Sequence, residues 1–526
     1  MPNPCRASAA EAATASWATW LGYLAMCLGM FMAILDIQIV ASSLLQIQAG
    51  LAIPLDRLSW VQTAYLIAEI IAIPLTGWLT ELLSLRRLFL AAVIGFIAAS
   101  IGCAMSGGFL TLILWRIIQG FCGGAMIPSV FTALFVLFPE RQHIIATAVA
   151  GALAMLAPTL GPTLGGYITQ TFSWPWLFLI NIGPGVVAAA VAAALLQTKP
   201  GNSAAWRRLD AASLALLAVF LAALELALKE APKRGWSDPV ALGLLALCAA
   251  TGLAGIVRCL SRARPLVDLR LFREPSFAAG CLFSFVLGGG LYGSTYLLPL
   301  FLGIVRQHDA LEIGQIMMVA GAAQLLTSPI AALLEKRIDC RLLTGIGYLL
   351  FAAGLAANGF ATYETNFREL FWPQVLRGVG VMLCLLPTTA AALEGRTGEA
   401  LADASALFNV LRNLGGAVII AAIDTILERR PAVHAAELIR RLQAGDPEAA
   451  RLVGLPLDRF HNQPLGPIDE ATRQLVAPLV ERAAAVASFN EAFLVLALLF
   501  LLSLLALPLL QQRSSAQPAS GKETMP

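Results

Sequence analysis

Three ionisable residues stand inside stretches that otherwise read as lipid-soluble. They are Asp36 in MFMAILDIQIVASSL (residues 30–44), Glu69 in WVQTAYLIAEIIAIPLTGWL (60–79) and Arg116 in LWRIIQGFCGG (114–124). A charged side chain at the centre of a bilayer costs at least a few kcal/mol, so such groups need partners at their own depth. Counted at 1.5 Å per residue, Asp36 lies about 12 Å, Arg116 about 10 Å and Glu69 about 16 Å below the outer membrane face, which lets the three meet. A buried carboxylate that holds a guanidinium when ionised and releases it when protonated is a proton-operated switch. One proton moving down 100 mV supplies about 2.3 kcal/mol, enough to bias a two-state cycle. Asp36 is the favoured carrier, with Glu69 adding like-charge repulsion so that the acidic pair keeps one proton. The alternative makes Asp36 a strut for Arg116 and gives the proton, or a cationic ligand, to Glu69. Arg377 and Arg412 are also intramembrane, without an obvious acidic partner inside their own helices. Snorkelling, backbone carbonyls and an anionic ligand all remain open for them.

Other residues position rather than react. Gly161, Gly165 and Gly166 in APTLGPTLGGYI (157–168) share one side of a helix and let a neighbouring backbone approach closely. Pro162 removes a backbone donor and favours a kink, which suits a gate between two helix bundles. Glu81, Arg86 and Arg87, with Glu335, Lys336, Arg337, Asp339 and Arg341 further on, have the charges to form ion pairs that close the cytoplasmic side. The alternative is that they only satisfy topology.

Several chemistries are excluded. No G-x-x-x-x-G-K-[ST], G-x-S-x-G or H-E-x-x-H occurs. GGGLYG (288–293) fits a dinucleotide fingerprint in letters only, because it sits inside an apolar run with no preceding strand. Nine cysteines and four histidines are scattered without metal-ligand or disulfide spacing. A net charge of +3 gives no sign of nucleic acid, and no metal or cofactor is implied.

The elements that hold these residues follow from composition. The 526-residue chain is 58% hydrophobic and 13% charged, against about a quarter charged in soluble domains, which makes it an integral membrane protein. Runs of roughly 20 apolar residues, the length needed to span a bilayer, begin near 17, 58, 87, 109, 144, 174, 209, 238, 276, 312, 341, 370, 403 and 488. The fold class is therefore all-α with fourteen transmembrane helices, arranged 6 + 2 + 6. The first run is too long for a signal peptide and is expected to be retained. The expected divisions are a tail at 1–16, a six-helix bundle at 17–200 and two inserted helices with a basic loop at 201–275. A second six-helix bundle follows at 276–511, containing a long outer loop at 428–487, and then a tail at 512–526. Lys and Arg concentrate in alternate short loops, at Arg86, Arg87, Arg141, Lys199, Arg207, Arg208 and Arg264 among others, which places both termini inside. The long loop mixes helix formers with Pro and Gly and predicts a few short amphipathic helices, and the Ser/Pro-rich C-terminal tail reads as disordered. An internal repeat joins the halves: PLTGWLTELLSLRRL (74–88) matches PIAALLEKRIDCRLL (329–343), and IIQGFCGGAMIP (117–128) matches QVLRGVGVMLCLLP (374–387).

With these pieces in order, the chain resembles the major facilitator superfamily. GWLTELLSLRR resembles the family's loop motif, with Gly77, Glu81, Arg86 and Arg87 in register. LWRIIQGFCGG resembles its fourth-helix motif, and APTLGPTLGGYI its fifth-helix antiporter motif, with Pro158, Gly161, Pro162, Gly165 and Gly166. LDIQIVASSL is similar to the first-helix motif of the fourteen-helix drug:proton antiporters of EmrB/QacA type. Departures are Glu81 for Asp, Ser84 for Gly, Gln38, Ala41 and Ser42 in the first helix, and Glu69 in the second. The resemblance implies two six-helix bundles around a central cavity and proton-coupled export of amphipathic molecules such as drugs or dyes across the inner membrane. Gln62, Tyr65, Gln119, Asn181, Tyr292, Asn409, Arg412 and Asn413 are candidates to line that cavity. It also implies a periplasmic adaptor protein, leading to an outer-membrane channel, docked on residues 428–487; a solvated cap is the alternative. Export of a single metabolite, fatty acid or siderophore is the competing function, and a non-transporting membrane sensor a more distant one.

Overall fold

The computed structural model describes residues 15–196, 200–202, 210–262, 269–335, 337–393, 396, 398–459 and 470–510. Both tails as far as they fall at 1–14 and 511–526, and the loop residues Lys199, Arg207, Arg208, Arg264 and Lys336, lie outside the described residues, as does the side chain of Arg141.

Fourteen helices among the described residues are long and apolar enough to cross a membrane. The first six are α1 (Trp17–Ser42), α2 (Trp60–Leu83), α3 (Leu85–Ala104), α4 (Phe109–Leu137), α5 (Glu140–Thr171) and α6 (Ile182–Leu195). The inserted pair is α7 (Ala211–Arg234) and α8 (Pro239–Ser261). The last six are α9 (Pro275–Leu300), α10 (Ala310–Glu335), α11 (Cys340–Asn358), α12 (Phe367–Leu393), α13 (Gly398–Gln443) and α14 (Glu470–Ser503). With an even number of crossings, the described ends of the chain share one end of the molecule, called here the terminal end; the other is the far end.

The two halves pair their helices in the same way. In the first, α1 packs on α5 and α4 on both α2 and α3; in the second, α9 packs on α13 and α12 on both α10 and α11. Two seams join the halves, α5 with α10 and α2 with α13. The inserted pair lies over the second seam: Leu221, Leu217 and Phe220 of α7 close an apolar cluster with Ile70 and Ile73 of α2 and Val410 and Leu414 of α13. Helix α8 packs on α7 and otherwise exposes Leu242, Leu253 and Val257, as expected of a lipid-facing helix.

The glycines of GGGLYG serve packing. A Cβ on Gly288 would lie 1.9 Å from the Arg412 carbonyl oxygen, so this crossing of α9 and α13 requires glycine.

The long loop differs from expectation. Helix α13 runs on for 46 residues, about 70 Å, and α14 for 34, about 50 Å, where the hydrocarbon core needs about 30 Å. Beyond the membrane they form a hairpin with its own core, Leu438, Leu442, Val480 and Ala484 packing around a short helix at Pro447–Val453. Spacings of four, four and four residues (Leu438/Leu442, Val476/Val480/Ala484) keep one apolar stripe on each helix, so Pro431 and Pro478 are carried inside continuous helices rather than ending them.

Candidate functional site

Asp36 and Arg116 meet inside the first bundle. Both are fully buried, and Arg116 Nη1 donates to Asp36 Oδ2 in a direct ion pair. The other carboxylate oxygen accepts from Gln119 Nε2 at 2.9 Å and from Asn181 Nδ2 at 3.0 Å. Gln119 stands one helical turn after Arg116, so its Oε1 accepts from Arg116 Nη1 at 2.7 Å while its amide also reaches Ser100 Oγ at 2.9 Å. Asn181 is delivered by the N-terminus of α6, where it precedes the first helical residue. Arg116 is held further by the Val61 carbonyl, which accepts from Nε at 3.0 Å, and by the Tyr65 ring, 4.4 Å from the guanidinium carbon. Tyr65 in turn donates to the Ala33 carbonyl at 3.2 Å. Four helices and one helix start thus converge on one carboxylate.

Glu69 sits one turn beyond Tyr65 on α2, 2% exposed, in different surroundings. It faces Asn413 of α13 across the seam between the halves, and its Oε2 has no hydrogen-bond partner among the described residues. Of the three residues of similar depth, Asp36 and Arg116 are in contact, while Glu69 lies at the interface between the halves. Gln62, on the same face of α2, is fully buried with neither amide atom bonded among the described residues.

The remaining candidates separate into groups. Gln119 and Asn181 are engaged with Asp36 within the first bundle. Tyr292 donates to Asn413 Oδ1 at 3.1 Å, so these two accompany Glu69 at the seam. Asn409 is tied to the Ser405 carbonyl at 2.9 Å, and Arg412 lies over the Phe408 ring at 5.1 Å. Arg377 donates to Gln374 Oε1 at 2.6 Å and to Ser294 Oγ. A cavity between the halves is lined by Arg377, Gln374, Gln324 and Gln38 with apolar neighbours, none of which was among the sequence-level cavity candidates. The signal that could have found it is the repeat, which sets Arg377 beside Gln374 as Arg116 stands beside Gln119.

The fifth-helix motif works on two sides at once. A Cβ on Gly161 would lie 2.5 Å from the Gln38 Cβ, and one on Gly165 would lie 2.8 Å from the Ile39 carbonyl, so these glycines seat α5 against α1. On the other side a Cβ on Gly166 would lie 2.1 Å from the Ala310 carbonyl, while Gly314 faces the Pro162 carbonyl in return. Thr163 Oγ1 donates to Gly314 O at 3.3 Å, and Gln170 Nε2 to Asp309 Oδ2 at 2.9 Å. Pro158 lies on the same helix, two turns toward the terminal end. The second seam is latched at the far end by Ser59, which donates to Asp424, while Tyr296 of α9 donates to the same carboxylate at 2.7 Å from within the second half. At the terminal end, Gly77 faces open space within 4 Å, Glu81 is exposed with its carbonyl accepting from Asn202 N at 2.8 Å, and Arg87 is exposed. Arg86 donates to the Ala193 carbonyl of α6, inside its own bundle. In the second half, Arg341 donates to the Leu510 carbonyl and Asp339 caps α11, both inside that bundle. The described hydrogen bonds across the seams thus gather toward the far end.

Two helical bundles of repeated plan, meeting at two seams with a buried ion pair in one and an interfacial acid beside it, define a membrane carrier. The chain belongs to the major facilitator superfamily, whose model matches residues 26–420, and is a secondary transporter rather than an enzyme. It is 38% identical over 420 residues to the colistin resistance protein EmrB of Acinetobacter baumannii, covering 80% of this chain and 82% of that one. It is 31% identical over 486 residues to the multidrug export protein EmrB of Escherichia coli, covering 91% and 93%. It is also 31% identical over 428 residues to the fatty acid resistance protein FarB of Neisseria gonorrhoeae, covering 81% and 83%. Among solved structures, a D-xylose-proton symporter shares the fold at TM-score 0.59 and 13% identity, over 91% of this chain and 97% of that one.

Proposed function

We propose that this chain is a proton-coupled antiporter that exports amphipathic small molecules across the inner membrane by alternating access, with both termini cytoplasmic. The relatives' names, which speak of multidrug export and of resistance to colistin, support the substrate class. The observation that carries the coupling is Glu69, an acid buried at the seam where the two halves must part, facing Asn413 across it.

The two acids have different tasks. Asp36 already accepts from Arg116, Gln119 and Asn181, so protonating it would break an ion pair and strand a buried guanidinium, at a cost of about 3–5 kcal/mol. It serves as a strut that orders α1, α4 and α6. Glu69 can take a proton without breaking an ion pair, and opening the α2–α13 seam exposes it to water on one side at a time. Protonation from outside favours the closed seam, and deprotonation inside resets it. This reverses the assignment favoured from depth alone.

The test is substrate-induced pH change in proteoliposomes with Glu69→Gln and Asp36→Asn. Glu69→Gln should bind substrate and release no proton, whereas Asp36→Asn should lose folded protein more than coupling. Coupling retained by Glu69→Gln and lost by folded Asp36→Asn would restore the proton to Asp36.

Export of a single fatty acid or other metabolite is the second form of this function, favoured by the FarB relationship. A susceptibility panel separates the two, since a single protected compound selects the narrow form. The far-end hairpin, with a core independent of the membrane bundles, suits docking of a periplasmic adaptor. Replacing residues 428–487 by a short linker should abolish adaptor co-purification; unchanged recovery removes that role.

A further inference from the structure

The two halves carry the same polar cluster with one difference. Pro74 corresponds to Pro329, 255 residues on, and Gly120 to Gly378, 258 on; α1 and α9 each span 26 residues and also begin 258 apart. In this register RIIQG (116–120) meets QVLRG (374–378), an arginine and a glutamine one turn apart in exchanged order. The contact is preserved: Gln119 Oε1 accepts from Arg116 at 2.7 Å, and Gln374 Oε1 from Arg377 at 2.6 Å. Position 36 corresponds to 294, and Arg377 donates to Ser294 as Arg116 does to Asp36. Position 69 corresponds to 324, which is glutamine. The second half keeps the guanidinium and sets neutral groups where the first has its two carboxylates.

Arg377 is 6% exposed and makes no ion pair among the described residues. Its Nε and the Gln374 Nε2 both lack a hydrogen-bond partner among them. Both side chains line the cavity between the halves, beside Gln324, and Leu291, Leu298 and Met317 supply an apolar wall. Gln38 and Pro162, from α1 and the α5 motif, close it from the first half. A guanidinium at this depth with only neutral acceptors is under-compensated. Its planar fork matches a carboxylate or phosphate in two parallel hydrogen bonds, and the glutamine amide adds another donor.

We propose that this cavity is an anion site: Arg377 and Gln374 hold the anionic head of an amphipathic anion whose tail runs along Leu291, Leu298 and Met317. Because Gln38 and Pro162 border it, an occupant touches both halves and biases the α5–α10 seam. The site's role in choosing substrates rests on the export function proposed above; anion binding does not. An amphipathic carboxylate and a lipid phosphate offer the same chemistry.

The test uses the full chain in phosphatidylcholine nanodiscs, with 11-(dansylamino)undecanoic acid and its methyl ester as probes read by fluorescence enhancement. The acid should bind at least tenfold more tightly than the ester. Arg377→Gln should bring that ratio close to one, and Arg377→Lys should retain part of it. Ser294→Asp places in the second half the carboxylate the first half has, leaving the arginine present but neutralised, and should also collapse the ratio. It carries the test if Arg377→Gln does not fold. A ratio near one in the unsubstituted protein, or a ratio that survives both Arg377→Gln and Ser294→Asp, overturns the proposal. Competition by added phosphatidylglycerol identifies a lipid headgroup as the source of the anion, and its failure to compete identifies a free amphipathic anion; the site stands in both. Ethidium efflux under an imposed pH gradient is measured in parallel. Its absence in the unsubstituted protein would remove the export function while leaving the binding ratio intact.

Discussion

Ser84 shows what a single departure from a motif does. It joins α2 to α3 at φ +83° and ψ 151°, a conformation that only glycine adopts without strain. The related loop motif has glycine there, and here a serine pays for its Cβ with a long cap, its Oγ accepting from Arg87 N at 3.4 Å. The cap offsets little, since 3.4 Å is near the limit of a hydrogen bond. Ser84→Gly should therefore stabilise the protein by about 1 kcal/mol, seen as a higher thermal midpoint in detergent with unaltered transport. A lower midpoint would mean that the cap outweighs the strain. The same scale separates the two membrane acids: their depths are similar, and their hydrogen-bond partners decide which of them can be protonated without stranding an arginine.

At the scale of elements, α5 shows how neighbouring glycines have different consequences. Gly165 faces α1 within its own bundle, and Gly166 faces α10 across the seam. Gly165→Leu should overpack the bundle and destabilise it by about 1–3 kcal/mol. Gly166→Ala should leave the bundles folded but keep the far end from closing, because its Cβ would meet backbone that cannot swing aside. Transport should be lost with little change in thermal stability; normal efflux by Gly166→Ala would show that the seam does not need this contact. In the hairpin, Asp446 caps the Pro447–Val453 helix and accepts from Arg441 Nε at 2.7 Å. Hydrogen bonding to Arg441, foremost, holds its carboxyl below the ordinary aspartate value. A lowered folded value means that the stabilisation is complete above the unfolded value of about 3.9 and fades as pH falls through the lower, folded one. The protection of the Glu448 and Ala449 amides from hydrogen exchange, relative to the intrinsic rate at each pH, should be unchanged from pH 7 to 5 and fall below about pH 4. Loss of protection already at pH 5 would mean that the cap is not what secures this helix.

For the whole molecule, the arrangement is one of two seams fastened at one end. Gln170 meets Asp309 on the α5–α10 seam, and Ser59 meets Asp424 on the α2–α13 seam. Between them stand the interfacial acid and the anion cavity, so any route through the centre requires both fastenings to open. A Gln170→Cys/Asp309→Cys pair, in a background with the native cysteines replaced, should cross-link readily and stop transport until reductant is added. Transport that continues after complete cross-linking would show that the far end does not need to open. The α7–α8 insertion covers only the second seam, which leaves the first to the bare glycine contact of α5 with α10.

The apolar runs alone specify the fourteen helices, because a bilayer demands a length and a polarity that local sequence can satisfy by itself. The meeting of Asp36 with Arg116 was legible too, since two buried charges of opposite sign at one depth have little alternative to each other. Partners beyond that pair were not. Gln119 and Asn181 read as cavity residues because a polar side chain on a membrane helix looks alike whether it faces a ligand or a carboxylate. The hairpin read as broken helices because Pro and Gly mark breaks locally, while the stripe through Leu438 and Leu442 finds its partner only once Val480 is brought beside it. Which acid lies at a seam, and that Arg377 faces a cavity without a carboxylate, depend on how helices rotate about their axes as two bundles dock. That rotation is set by contacts between residues hundreds of positions apart, and only the tertiary structure records it.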